Sequence, residues 1–255
     1  MAYSNFHTHC TYCDGKDTPR ELVEYAVAHG CTALGFSSHS WLSDGYLPYF
    51  LTPESEKRYK AEIRALQAEY ADRIRIYLGV ERDYFTEMDT SDYDYVIGSV
   101  HDVFKNGVYC PTDASRQLQL DAVRRHYGGD FYAFAEDYFA LVGQVYEKTH
   151  CDIVGHFDLI TKFNEKGDLF STAHPRYIAA ADAALEKLMH RGLTFEVNTG
   201  AISRGYRKTP YPEPRILAKL RSAGEKIIYT SDCHDKKDLL CGLPEDAPVF
   251  CPRKK

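Results

Sequence analysis

Short apolar runs separated by longer amphipathic stretches set the plan of this chain. Residues 3–6, 33–36, 74–80, 95–100, 153–155, 193–197 and 227–230 are apolar or mostly apolar, too short for helices, and read as buried strands. Between them, apolar residues recur at helical spacing. The clearest helix opens with Thr18 as N-cap, Pro19 at the first helical position and Glu21 completing a capping box. Leu22, Val23, Ala26 and Val27 then form an apolar stripe, and Gly30 suits a left-handed stop. Residues 53–71, 112–126, 131–149, 175–191 and 213–223 predict further helices, with Gly128 and Gly129 dividing two of them inside one crossover. Strands alternating with helices predict βα units. A closed parallel barrel of such units typically takes about 250 residues, and this chain has 255. We expect an α/β fold, a distorted (β/α)7 barrel, formed by residues 1–255 as one domain, since no repeat or linker interrupts the pattern. The insert between His101 and His156 is expected to wall or cover the C-terminal face. The tail after Gly242, with Pro244, Pro248 and Pro252, reads as an irregular strap.

Nearly every run delivers a polar side chain at its C-terminal end. The first leads into His7 and His9, the second into His39, and the third into Glu81. The fourth reaches His101 and the fifth His156; the sixth brackets Glu196 and Asn198, and the last runs into Asp232 and His234. In a parallel βα barrel these ends share one face, where active sites lie. His7 and His9, two residues apart on an extended chain, point the same way and can hold one ion. Imidazoles suit zinc, iron and manganese-type ions, and the carboxylates of Glu81 and Asp232 can bridge two cations. Asp14, in the loop after the first strand, could join His39 and His234 at a further cation. The nine candidates His7, His9, Asp14, His39, Glu81, His101, His156, Asp232 and His234 exceed what one ion needs, and three divalent ions (Zn, Mn or Fe) account for them. His29, His126, His150, His174 and His190 fall on helices or their ends and are expected to be bystanders.

Composition narrows the possibilities. A net charge of -6 disfavours a nucleic-acid binder, which would show a basic surface. No apolar run approaches the ~20 residues that span a bilayer, and no signal peptide is visible, so a cytoplasmic protein with reduced thiols is expected. Cys10 and Cys13 form a C-x-x-C pair without a second pair at zinc spacing, and read as loop thiols. Cys233 is expected to pack rather than react. Residues 198–208 read N-T-G-A-I-S-R-G-Y-R-K, which suits an anion-binding loop. Arg204 and Arg207 could grip a phosphate through forked charge-assisted bonds, with Lys162 adding charge. Metals and arginines on one face point to phosphoryl transfer on a small phosphate monoester. Glu81, Asp232 and Arg204 are the expected catalytic groups, the two cations bridged by Glu81 acidifying a water. No serine elbow, phosphate-binding P-loop or dinucleotide fingerprint accompanies the cluster.

These motifs carry a resemblance. H-T-H at 7–9, S-S-H at 37–39, G-V-E at 79–81, S-V-H at 99–101, G-H at 155–156 and S-D-C-H at 231–234 resemble the successive motifs of the polymerase and histidinol phosphatase (PHP) superfamily. H-C-T-Y-C-D-G and E-V-N-T-G-A-I-S-R-G resemble its histidinol-phosphatase branch. The resemblance implies a distorted seven-stranded βα barrel with a trinuclear metal site. It implies His7, His9, Glu81 and Asp232 on one metal, Glu81, His101 and His156 on the second, and Asp14, His39 and His234 on the third. It also implies hydrolysis of L-histidinol phosphate in histidine biosynthesis. Many members have Asp before the histidine of the second motif, where this chain has Ser38. The alternatives are a phosphatase of nucleotides or DNA ends on the same site, and a non-catalytic metal-binding module.

Overall fold

The computed structural model describes residues 3–40, 50–245 and 247–252. Strands β1 (Tyr3–Asn5), β2 (Cys31–Phe36), β3 (Arg75–Asp83) and β4 (Tyr95–Ser99) are followed by a hairpin of β5 (Asp102–Lys105) and β6 (Val108–Pro111). Then come β7 (Ile153–Val154), β8 (Thr194–Asn198) and β9 (Lys226–Thr230). Apart from the hairpin, the strands form one parallel sheet in chain order, β1-β2-β3-β4-β7-β8-β9. The helices are α1 (Pro19–Ala28), α2 (Pro53–Glu69), α3 (Arg116–Tyr127), α4 (Phe131–Val142), α5 (Val145–Thr149), α6 (Pro175–Leu188), α7 (Gly200–Ser203) and α8 (Pro214–Ser222). None among the described residues is long and apolar enough to cross a membrane.

The sheet curls until its edge strands meet, and side chains close the seam. The Asn5 amide nitrogen lies 2.6 Å from the Ser231 hydroxyl and 3.1 Å from the Leu239 carbonyl, while its oxygen accepts from Ser231 N–H at 3.3 Å. Just beyond, Thr8 and Cys233 form a parallel bridge: His9 N–H donates to the Cys233 carbonyl at 2.8 Å, and Cys233 N–H to the His7 carbonyl at 3.2 Å. The barrel is therefore closed at the level where the ligand candidates begin.

Period-2 alternation explains the interior. On β3, Leu78 and Val80 pack in the main core, while Tyr77 packs with the second apolar cluster and Glu81 reaches the polar end. On β4, Tyr95 and Ile97 belong to that second cluster, and Ser99 follows them on the same face. The inward residues thus change from apolar to ionisable along the strands. Tyr95 fills the middle, its hydroxyl within 2.7 Å of the Phe6 carbonyl and 2.9 Å of the Phe36 carbonyl. Gly35 and Gly79 give it room: a Cβ on either would lie 2.3–2.4 Å from the Tyr95 ring or hydroxyl. The tail does act as a strap, since Phe250 packs edge-on against Phe6 and Tyr95.

Helix α1 has the expected capping box, and Gly30 follows it with φ 78°. Two helix expectations need correction. Residues 112–115 lie outside α3, which starts after Ser115; the Ser115 hydroxyl accepts from Leu118 N–H. The span 131–149 is two helices, α4 ending at Gly143, where a side chain would press on Ala184. The β5–β6 hairpin was not expected from the sequence. Its turn, Asn106-Gly107, has positive φ at both residues, as a type I′ turn requires.

Candidate metal centre

Glu81 sits at the middle of the C-terminal face, 1% exposed. Its two oxygens look at different histidines. Oε2 lies 3.3 Å from His7 Nε2, 3.5 Å from His9 Nε2 and 2.8 Å from His39 Nδ1. Oε1 lies 3.3 Å from His101 Nε2 and 2.9 Å from His156 Nε2, and accepts from the Ser99 hydroxyl at 2.6 Å. Asp232 Oδ1 lies 3.6 Å from His7 Nε2 and 3.2 Å from His9 Nε2. Its backbone takes φ 47°, an uncommon conformation for a residue other than glycine. That kink stands between the end of β9 and the Cys233 bridge to the first strand. Asp14 faces His39 Nε2 at 3.7 Å and His234 Nε2 at 3.3 Å. All nine candidates from the sequence therefore meet on one face. Four sets of donor atoms lie close enough to hold an ion: His9, Asp14, His39 and His234; His7, His156 and Asp232; His7, His9 and Glu81; His39, Glu81 and His101.

The donors fit cations rather than one another. His7 Nε2, His9 Nε2 and His156 Nδ1 are buried without a hydrogen-bond partner among the described residues. Each such group costs roughly 1–3 kcal/mol unless something satisfies it, and a metal ion satisfies lone pairs. Burial alone would depress the His7 imidazole, but Glu196, Asp232 and Glu81 hold its pKa well above the ordinary histidine range. Burial would raise Glu81, yet His7, His39 and His101 hold it well below the carboxylate range. Burial together with His234 and His39 pushes His9 down to about 3. The cluster is thus a patchwork of positive imidazoles around anionic carboxylates, the charge pattern that cations would replace.

Further carboxylates steer the imidazoles. His7 Nδ1 lies 2.5 Å from Glu196 Oε1, which fixes the tautomer that leaves Nε2 free to bind. Glu196 also accepts from the Thr230 hydroxyl at 2.5 Å and from His156 N–H at 2.6 Å. Asp83 Oδ2 is 3.1 Å from His101 Nδ1. Sequence reasoning noted Glu196 at a strand end without giving it a role, and passed over Asp83. The signal for Asp83 was its place two residues beyond Glu81, on the same face of the strand.

The cavity above the cluster, about 220 Å³, is lined also by Asp113, Leu159, Lys162, Arg204 and Tyr206. Arg204 donates to Asp232 Oδ2 at 3.0 Å and lies 2.8 Å from His234 Nδ1. Gly200 makes this approach possible, since a Cβ there would lie 2.8–2.9 Å from Asp232 and Arg204. Lys162 stands at the wall with its ammonium 3.0 Å from Asp113 Oδ2. Arg207 does not line the cavity. It is buried, donates to the Thr161 and Thr209 hydroxyls, and lies 4.7 Å over the Tyr211 ring. The expectation that Arg207 grips phosphate is corrected: a buried guanidinium needs local partners, and these hold it in the wall. The cysteines are free thiols. Cys13 Sγ lies 3.4 Å from His9 Nδ1, while burial pushes the Cys10 thiol up to about 11.

The PHP domain profile matches residues 5–200. The chain belongs to the PHP domain family. Among its relatives, a protein of Deinococcus radiodurans named "Probable histidinol-phosphatase" is 31% identical over 89% of this chain and 85% of its own length. The histidinol-phosphatase of Lactococcus lactis subsp. lactis is 28% identical over 91% of this chain and 84% of its own. A candidate histidinol phosphatase of Listeria monocytogenes superposes with a TM-score of 0.82 at 19% identity, covering 94% of this chain and 98% of its own. The Lactococcus lactis enzyme solved with zinc, L-histidinol and phosphate gives 0.69 at 21% identity, covering 92% and 88%. At these identities the two structures show the shared fold: seven parallel strands in a nearly closed α/β barrel.

Proposed function

We propose that this PHP domain is a metal-dependent phosphomonoesterase that hydrolyses L-histidinol phosphate to L-histidinol and inorganic phosphate. The observation that carries the reading is Glu81, buried at the centre with one oxygen turned to His7, His9 and His39 and the other to His101 and His156. Relatives named for that activity across most of their length support the substrate. Three divalent cations, zinc, manganese or iron, are the proposed complement, with the nine residues above as their ligands. Zinc in the Lactococcus lactis neighbour agrees with imidazole and carboxylate donors.

Bound cations would act as Lewis acids on the phosphoryl oxygens and lower the pKa of a water. The protein's own part is positioning and charge. Glu81 and Asp232 stay anionic in the buried site, so they can ligate without first losing a proton. Glu196 and Asp83 fix the His7 and His101 rings. Arg204, tied to Asp232, brings a fixed positive charge to the cavity wall, where phosphoryl charge grows as the ester bond breaks. Lys162 adds a second positive group at the rim. The attacking water forms a bond to phosphorus, the ester oxygen departs, and the alcohol leaves protonated.

The test is phosphate release from L-histidinol phosphate against a nucleoside monophosphate, with manganese or zinc added. The expected result is a kcat/KM for histidinol phosphate at least tenfold higher. A preference for the nucleotide would overturn the substrate and favour the nucleotide-directed alternative.

A further inference from the structure

A second cavity, about 400 Å³, adjoins the metal cavity through Asp14, His39, His101, Asp113 and Lys162. Asp102 lines this second cavity and not the first, with Phe50, Pro111 and Leu118 as apolar walls. Asp102 is 8% exposed. Its carboxylate has no hydrogen-bond or ion-pair partner among the described residues. The nearby cations are committed elsewhere: Lys162 to Asp113 at 3.0 Å, Lys105 to Asp137 at 2.7 Å. The His101 ring faces Glu81 and Asp83. A buried carboxylate without a partner is costly. Such a group, turned into an open cavity, wants a cation from outside the protein.

We propose that Asp102 is the receptor for a primary ammonium on the alcohol portion of the substrate, making the second cavity a selector for amino-alcohol phosphates. This rests on the phosphatase reading above. With the phosphoryl group at the metal cluster, the alcohol portion extends past His101 into the second cavity. There the carbon skeleton meets Pro111 and Leu118 and the ammonium meets the carboxylate. Lys162 completes the arrangement by neutralising Asp113, so that Asp102 remains the uncompensated acid. No sequence motif marks this residue; it follows a ligand candidate and opens the β5–β6 hairpin.

The experiment compares kcat/KM for L-histidinol phosphate and for the same ester lacking the amino group, 3-(imidazol-4-yl)propyl phosphate. The enzyme is metal-loaded, and metal content is measured on each sample. The wild-type ratio is expected to favour the amine. Asp102→Asn, close to isosteric, should lower that ratio about 10- to 100-fold, the scale of one hydrogen bond to a charged group. Asp102→Ala should lower it at least as far. A ratio unchanged in both variants would overturn the ammonium site. So would a wild-type enzyme that turns over both esters equally, although the proposed phosphatase activity would stand. A wild-type enzyme that turns over neither ester would overturn the activity itself, and the ammonium site with it.

Discussion

Glu81 concentrates the chemistry of this site in one side chain. Its oxygens face His7, His9 and His39 on one side and His101 and His156 on the other, and Ser99 holds one of them in place. Glu81→Gln keeps the shape and removes the charge shared between the two sides. Metal content is expected to fall by more than one equivalent, and kcat by at least about 100-fold, the order of a lost preorganised charge. Elemental analysis and steady-state kinetics on one sample check this; full metal and full rate would make Glu81 a bystander. At this scale the ligand candidates were legible because a strand end repeats one signal, an apolar run followed by His, Asp or Glu, at separated places. Glu196 and Asp83 were not, because their role depends on which imidazole they face across the barrel. Arg207 misled for a related reason. A loop rich in Arg and Lys does not say which guanidinium turns inward, and Arg207 turns toward Thr161 and Tyr211.

The elements were read well where burial on both faces made them plain. Six of the seven barrel strands lie within a residue or two of their apolar runs, β3 running three residues further to Asp83, and the capping box placed the start of α1. The β5–β6 hairpin was hidden in an insert whose two strands have only four residues each and meet the turn at charged Lys105 and exposed Val108. Asn106-Gly107 was the available signal. A barrel was expected, but the contacts that close it were not legible, since β1 and β9 share no ladder and meet through Asn5 and Ser231. Asn5→Ala should therefore weaken the seam, leaving the buried Ser231 N–H without its acceptor. A loss of about 1–3 kcal/mol is expected, which corresponds to a melting temperature lower by roughly 2–12 °C for a domain of this size. An unchanged melting curve would mean that the Cys233 bridge alone holds the barrel shut.

For the whole molecule, the barrel places an apolar plug of Phe6, Tyr95 and Phe250 beneath a layer of buried charge. That layer explains how a chain of net charge -6 can still attract an anionic ester: the acidity is a property of the whole chain, while cations at the cluster and Arg204 would make the pocket locally positive. Without cations, His7 and His101 are held protonated beside anionic Glu81, Asp232 and Glu196. Loading metal must expel those protons, so metal uptake is expected to strengthen as pH rises toward neutrality. The most direct measurement follows phosphate release from L-histidinol phosphate while a chelator-stripped sample is titrated with manganese or zinc at neutral pH. Activity is expected to be negligible at the start and to reach its plateau near about three equivalents. A stripped protein that hydrolyses the ester at the full rate would contradict a metal-dependent phosphatase.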